Sequence, residues 1–129
     1  MPVISTPDHD QRIVHTVCSD LVTLAEIEEY QYTAWLEPDI YGYNELFDMV
    51  DSDFSQIEFG DLITVAQNAS KLYMLDPQSR FAFLTSTLHH QEMADFYISA
   101  KTLSKGASRD LKCFNSRDQA MSWLSEKYR

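Results

Sequence analysis

Residues 81–85 read Phe81-Ala82-Phe83-Leu84-Thr85, an unbroken apolar run closed by a single hydroxyl. A strand that is wet on one side alternates polar and apolar residues, so a continuous run of this kind describes a strand covered on both faces of a parallel sheet. The flanks supply the covering helices. Upstream, Leu62, Val65, Ala66, Ala69, Leu72 and Tyr73 recur at helical spacing, with Asp61 in the first turn and Asp76-Pro77 as the stop. Downstream, Met93, Phe96, Tyr97, Ala100 and Leu103 mark another helical stripe, and Lys105-Gly106 offers a cationic last turn and a C-cap.

Working outward, Glu45-Leu46-Phe47-Asp48-Met49-Val50 reads as a second buried strand with one carboxylate near its end. The β-branched run Ile13-Val14-His15-Thr16-Val17-Cys18 is a third, joined to a short extended piece at Val3-Ile4-Ser5-Thr6 through the turn-rich Pro7-Asp8-His9-Asp10. Ser19 or Asp20 can cap a helix spanning roughly 20 to 35, in which Leu21, Leu24 and Ile27 share a face and which Pro38 ends. Leu111-Lys112-Cys113-Phe114 closes the strand set, followed by a helix from about Arg117 that buries Ala120, Trp123 and Leu124. After the opening hairpin, strand and helix alternate, which implies right-handed β-α-β crossovers. The expected fold is α/β: a mostly parallel sheet of four to five strands, an antiparallel N-terminal edge strand and four wrapping helices, in one domain over residues 1–129.

Composition sets the outer limits. A chain of 129 residues, 44% hydrophobic and 23% charged, is an ordinary globular domain that folds unaided. The N-terminus has no basic start followed by an apolar run, and no stretch reaches the roughly 18 apolar residues of a membrane span; the expected location is the cytoplasm. Cys18 and Cys113 each lie in an apolar strand-like run, as reduced, buried thiols do. The formal net charge of −10 opposes a phosphate backbone, so nucleic acid is not an expected partner. That charge is uneven: residues 1–65 hold 14 acidic and 1 basic side chains, residues 66–129 hold 6 and 9. Such polarity fits head-to-tail association or a basic partner, although a merely solvated acidic face is the commoner origin of an uneven charge.

Three segments carry a family likeness. Asn44-Glu45-Leu46-Phe47-Asp48, Phe81-Ala82-Phe83-Leu84-Thr85 and the closing run from Cys113-Phe114 through Ala120 to Trp123-Leu124 are similar to the corresponding strands and last helix of the STAS group. In detail the chain resembles its SpoIIAA-like branch of small bacterial proteins, over roughly residues 11 to 125. The resemblance implies the fold just described and a scaffold that binds a ligand or a protein. In the anti-sigma-factor antagonists of that group, a serine at the start of the helix after the central strand is phosphorylated. Here the matching stretch is Glu58-Phe59-Gly60-Asp61-Leu62, without a hydroxyl, and Ser55 falls too early, so the phosphoserine switch does not carry over.

The candidate sites follow from chemistry. His89-His90 with Glu92 is the densest metal-like cluster, but adjacent helical residues point about 100 degrees apart, unlike the i, i+4 pairs that share one ion; His9 and His15 supply no third ligand, and no metal is expected. The chain has no Gly-x-Ser-x-Gly elbow, no phosphate-cradling glycine loop and no cysteine with an evident histidine partner. Among Asp48, Asp51 and Asp53 only Asp48 lies in a strand, so no catalytic residue and no cofactor is assigned. Open α/β sheets bind ligands beyond the carboxyl ends of their strands, which selects Asp48 through Asp51 and Thr85, Ser86 and Thr87 as ligand-binding candidates, and Tyr43 of the aromatic segment is a further one; the hydroxyls serve either an anion or the cap of the following helix. From Tyr30 to Tyr43 the chain packs four tyrosines and a tryptophan into 14 residues. Trp35, Tyr41 and Tyr32 are the candidate interface residues, and the segment reads as a dimer contact, a pocket rim or a loop folded onto the sheet. Two functions are therefore expected to compete. One is a non-enzymatic binding or regulatory module that contacts another protein or, as a homodimer, itself. The other is a carrier of a small apolar or amphipathic ligand held between sheet and helices, with five methionines as adaptable lining.

Overall fold

The chain is described by a computed structural model over residues 2–71, 79–103 and 109–126. Its elements are β1 (Val3–Asp8), β2 (Ile13–Leu21), α1 (Leu24–Thr33), two 3-10 turns (Ala34–Leu36 and Pro38–Ile40), β3 (Asn44–Asp53), α2 (Phe59–Lys71), β4 (Arg80–Leu84), α3 (Leu88–Leu103), β5 (Asp110–Phe114) and α4 (Arg117–Leu124). The sheet runs β1-β2-β3-β4-β5, antiparallel between β1 and β2 and parallel thereafter. Spatial order thus equals chain order. Crossovers of one hand then lay α1, α2 and α3 on one face, while α4, with no strand to return to, is free to close the other.

The two faces hold separate cores. Ile27, Leu62, Val65, Met93 and Tyr97 from the three crossover helices pack on Cys18, Phe47, Met49, Phe81 and Phe83. On the opposite face Ala120 and Leu124 of α4 cover Ile13, Leu46, Ala82 and Leu84. Both faces of β4 are filled, as its unbroken apolar run requires. The end of α4 is fixed by two neighbours that satisfy its last carbonyls: Asn44 Nδ2 donates to Leu124 O (2.7 Å) and Arg80 Nη1 to Trp123 O (2.7 Å). Trp123 lies half-buried beneath the Arg80 guanidinium, 5.1 Å from its ring centre. Beyond Ile13 this second face of β1 and β2 is uncovered, leaving the cross-strand pair Ile4 and Val17 about half exposed.

The hairpin is built by Asp8, whose Oδ1 accepts the amides of Asp10 and Gln11 at 3.0 Å each, and Arg12 leaves the turn in the left-handed region (φ 58). β1 runs through Pro7, which the sequence placed in the turn. The Ser19 amide donates to Pro2 O, and the alternation of an antiparallel ladder then turns the backbone groups of Val3, Ser5 and Pro7 away from β2. Pro7 therefore removes no ladder bond and sits where an edge strand tolerates it.

Two expectations are corrected. The first helix does not begin near Leu21: pairing with β3 carries β2 on to Leu21 opposite Asp53, past a register shift between Val17 and Ser19. The N-cap is Thr23, whose hydroxyl accepts the Glu26 amide while the Glu26 carboxylate accepts the Thr23 amide, a reciprocal capping box. On α3, Leu103 is 87% exposed, whereas His90 and Lys101 are buried with Met93, Ala94 and Tyr97. Leu72, Tyr73, Asp76-Pro77 and Lys105-Gly106 lie outside the described residues.

Candidate functional site

At the carboxyl end of β4 the chain brings Asp48, Thr85, Ser86 and Thr87 near one another, since Asp48 pairs in register with Leu84; β3 itself runs on to Asp53, so Asp51 and Asp53, expected in a loop, lie in the strand as well. Each is engaged by its own chain. Asp48 Oδ2 accepts Arg117 Nη2 at 2.5 Å, and its Oδ1 accepts the Val50 amide at 3.0 Å. Thr85 donates its amide and its hydroxyl to Phe114 O, extending the β4–β5 ladder by one residue. Ser86 Oγ donates to Val50 O at 2.8 Å. Thr87 Oγ1 accepts the His90 amide at 3.0 Å, the bond of a helix N-cap.

His90 ties this end of the sheet together. Its Nε2–H donates to Ser52 O (2.8 Å), and its Nδ1 accepts the Ser86 amide (3.4 Å). His89 faces solvent against the Phe59 ring, so the adjacent histidines diverge. Among the described residues no three His, Cys, Asp or Glu side chains converge where they could hold a metal ion. Both cysteines are free, and burial is the largest cause that pushes the thiol of each upward.

Tyr43 does not join this group. It precedes β3, at the opposite end of the sheet, where its hydroxyl meets His9 Nδ1 (2.8 Å) and its carbonyl accepts Arg109 Nη2 (2.8 Å). Its position among the ligand-binding candidates is thereby corrected. Tyr43 and Asp48 are close in sequence, but a strand rises about 3.3 Å per residue, so the five steps between them set the two roughly 16 Å apart.

The aromatic segment divides into anchors and exposed rings. Trp35 is only 6% exposed and inserts between sheet and helices, edge-on to Phe81 and Tyr30; as an interface residue it is corrected, because its indole has almost no surface left to offer. Its Nε1–H bonds Tyr30 Oη (2.7 Å) and Glu45 Oε1 (3.1 Å). Tyr32 and Tyr41 remain about half exposed, with Leu36 between them in sequence.

Beneath them lies a network that the sequence reading missed. Glu45 is 1% exposed and forms an ion pair with Arg109 at 3.0 Å. Its Oε2 accepts the Tyr30 hydroxyl and the Thr16 hydroxyl, the latter at 2.7 Å. Arg109 Nε in turn donates to Ser79 Oγ (2.8 Å). A carboxylate in this setting is held by hydrogen bonds on both oxygens plus a guanidinium, which is what makes burial of its charge tolerable. The signal was present in the sequence: Glu45 shares strand parity with Phe47 and Met49, so it had to face the core. Nothing local could name Arg109, 64 positions away, as its counter-ion.

The large apolar core contains a cavity of about 50 Å³, lined by Phe47, Phe54, Phe83, Met49, Met93 and neighbours. Gln31 is fully buried at its margin and donates to Val65 O.

No protein-family model matches the chain, and no curated protein does. Among solved structures, an uncharacterized protein from the DUF3478 family with a SpoIIAA-like fold, from Shewanella loihica PV-4, superposes with a TM-score of 0.56. The match covers 95% of this chain and 91% of that one at 17% sequence identity. The fold of this chain is accordingly SpoIIAA-like, as the three sequence segments implied, and the likeness is one of fold. No helix among the described residues is long and apolar enough to cross a membrane.

Proposed function

We propose that the protein is a non-enzymatic binding or regulatory module that acts through protein–protein contact and works without a phosphoserine switch. The observation that supports this reading is the division of labour within residues 30–43. Tyr30, Trp35 and Tyr43 are anchored below the surface by hydrogen bonds to Glu45, Arg109 and His9, and Tyr32, Leu36 and Tyr41 stand out between them. Rings presented on an anchored segment lose little conformational freedom when a partner covers them, which is the condition under which aromatic contacts contribute most to affinity. The acidic surroundings favour a basic partner.

The carrier reading has less support. A cavity of about 50 Å³ is roughly a third of the 150 Å³ that accepts a benzene molecule, so a lipid or other amphipathic ligand would require the core to open. Native mass spectrometry of gently purified protein separates the two: the bare chain or a protein complex is expected, and a small extra mass released on denaturation would overturn the proposal in favour of the carrier. A photo-crosslinking residue at Tyr41, used in the native host, should yield a discrete protein adduct; the absence of any adduct there would count against contact through this surface.

A further inference from the structure

We propose that the open edge of β1 and the groove beside it receive an extended, basic segment of a partner protein as an added strand. This rests on the reading of the chain as a protein-contact module and names where and what the module binds. β1 is the outermost strand, and the ladder alternation that seats Pro7 leaves the amides and carbonyls of Val3 and Ser5, with the carbonyl of Pro7, directed away from the sheet. Such groups are a template for strand addition.

Alongside this edge runs a groove of about 310 Å³ bounded by Val3, Ser5 and Pro7 on the strand and by Ala34 and Ile40 of the two 3-10 turns with Glu37 between them. A strand laid on β1 directs every second side chain to the helix side of the sheet, into that groove, and the others toward the uncovered face where Ile4 is exposed. Strand addition would thus cover apolar surface on both sides at once.

The groove also has a sign. Thr16 Oγ1 gives its proton to Glu45 Oε2, so the 2.8 Å contact between Ser5 and Thr16 uses the Ser5 proton and leaves Ser5 Oγ only as an acceptor. Glu37 adds an exposed carboxylate, and no Lys or Arg is among the groove's lining residues. The half of the chain that builds it carries 14 acidic and 1 basic side chains. A segment that places aliphatic residues and at least one Lys or Arg toward the groove is complementary in shape, hydrogen bonding and charge. A second copy of β1, Val3 to Asp8, brings no cation and sets acid against acid, which is why the occupant is a different chain. Pro7 limits the pairing to the donors of Val3 and Ser5, a device that keeps an open edge from pairing indiscriminately.

The test is selection of a phage-displayed random dodecapeptide library on the full chain, followed by binding of the enriched peptides as synthetic probes. Enriched peptides are expected to combine aliphatic residues with Lys or Arg at strand spacing. They should bind the Glu37→Lys variant about fivefold more weakly or worse, lose binding when alternate backbone amides are N-methylated, and slow hydrogen exchange at the amides of Val3 and Ser5. Enrichment of nothing, undiminished binding by the N-methylated peptides, or equal binding to Glu37→Lys would overturn the inference. Peptides whose protection maps to Tyr32 and Tyr41 would overturn it as well, yet leave the protein-contact reading standing; an empty selection together with no adduct from the Tyr41 crosslinker would remove both.

Discussion

Glu45 illustrates how one residue can constrain a fold without being exposed to anything outside it. Its carboxylate accepts from Thr16, Tyr30, Trp35 and Arg109, which come from β2, α1, the first 3-10 turn and the residue before β5. Removing one member of such a set leaves the others buried and uncompensated. Glu45→Ala should therefore lower stability by about 3–5 kcal/mol, read from urea unfolding, whereas Glu45→Leu combined with Arg109→Met should lose less than the sum of the two single changes. Equal additivity would mean that the pair does not act as a unit. The same site sets an alkaline limit. Burial first, and then the Glu45 carboxylate, push the Tyr30 hydroxyl well above its usual 10.0, and burial raises Tyr97 likewise. Because the folded state holds these protons more tightly than the unfolded chain, the associated stability is complete below pH of about 10 and declines as pH rises past it. Phenolate absorbance in a pH titration should show these two tyrosines ionising only with unfolding; early, reversible ionisation of every tyrosine would contradict it. Parity within β3 told which way Glu45 pointed, but its partners are long-range in sequence, and no residue pattern connects them.

The segment between α1 and β3 shows the corresponding limit for elements. Its aromatic density was plain in the sequence, and so was the fact that the rings could not all be buried. Which ones were buried was not, because two successive 3-10 turns follow neither the 3.6 nor the 2-residue period on which burial is read from sequence. Trp35 is turned inward by its bonds to Tyr30 and Glu45, and Tyr32 is turned outward from the exposed side of α1. The two should then respond oppositely to truncation. Trp35→Ala removes a core ring and is expected to destabilise by about 3–5 kcal/mol. Tyr32→Ala and Tyr41→Ala should each stay within about 0.5 kcal/mol of the parent. Thermal denaturation followed by circular dichroism distinguishes these outcomes, and a large loss at Tyr41 would mean that its ring holds the turn together and is unavailable to a partner. The regular elements were easier to read. The helices covering β4 were set by apolar spacing, and the misplaced start of α1 arose where Asp20, at φ 56, looks like a cap in sequence but belongs to the irregular end of a strand.

At the scale of the molecule, a feature of the chain becomes a feature of space because strand order follows sequence order. The acidic half builds β1, β2, α1 and β3, while the described residues from 66 onward, which contribute β4, α3, β5 and α4, hold six basic and five acidic side chains. Among the described residues one side of the sheet is therefore strongly negative and the other close to balanced, a polarity that the sequence could count but could not place without the topology. Two electrostatic effects then oppose each other. Repulsion among the crowded carboxylates of the first half destabilises the compact state, while attraction between the two ends stabilises it. The numbers decide which dominates: 14 acidic groups face 1 basic group within the first half, against a net excess of only three positive charges in the second. Repulsion should prevail. Added salt screens exposed charges beyond roughly 10 Å at 0.1 M and at shorter range as it is raised, so moving from low salt to 0.5 M sodium chloride at pH 7 should raise the melting temperature by roughly 3–5 °C, the shift that about 1 kcal/mol produces in a domain of this size. A fall in melting temperature would show that attraction between the ends is the larger effect. The buried Glu45–Arg109 pair, shielded from ions, should contribute nothing to the change, so Glu45→Leu combined with Arg109→Met should display the same salt slope as the parent chain.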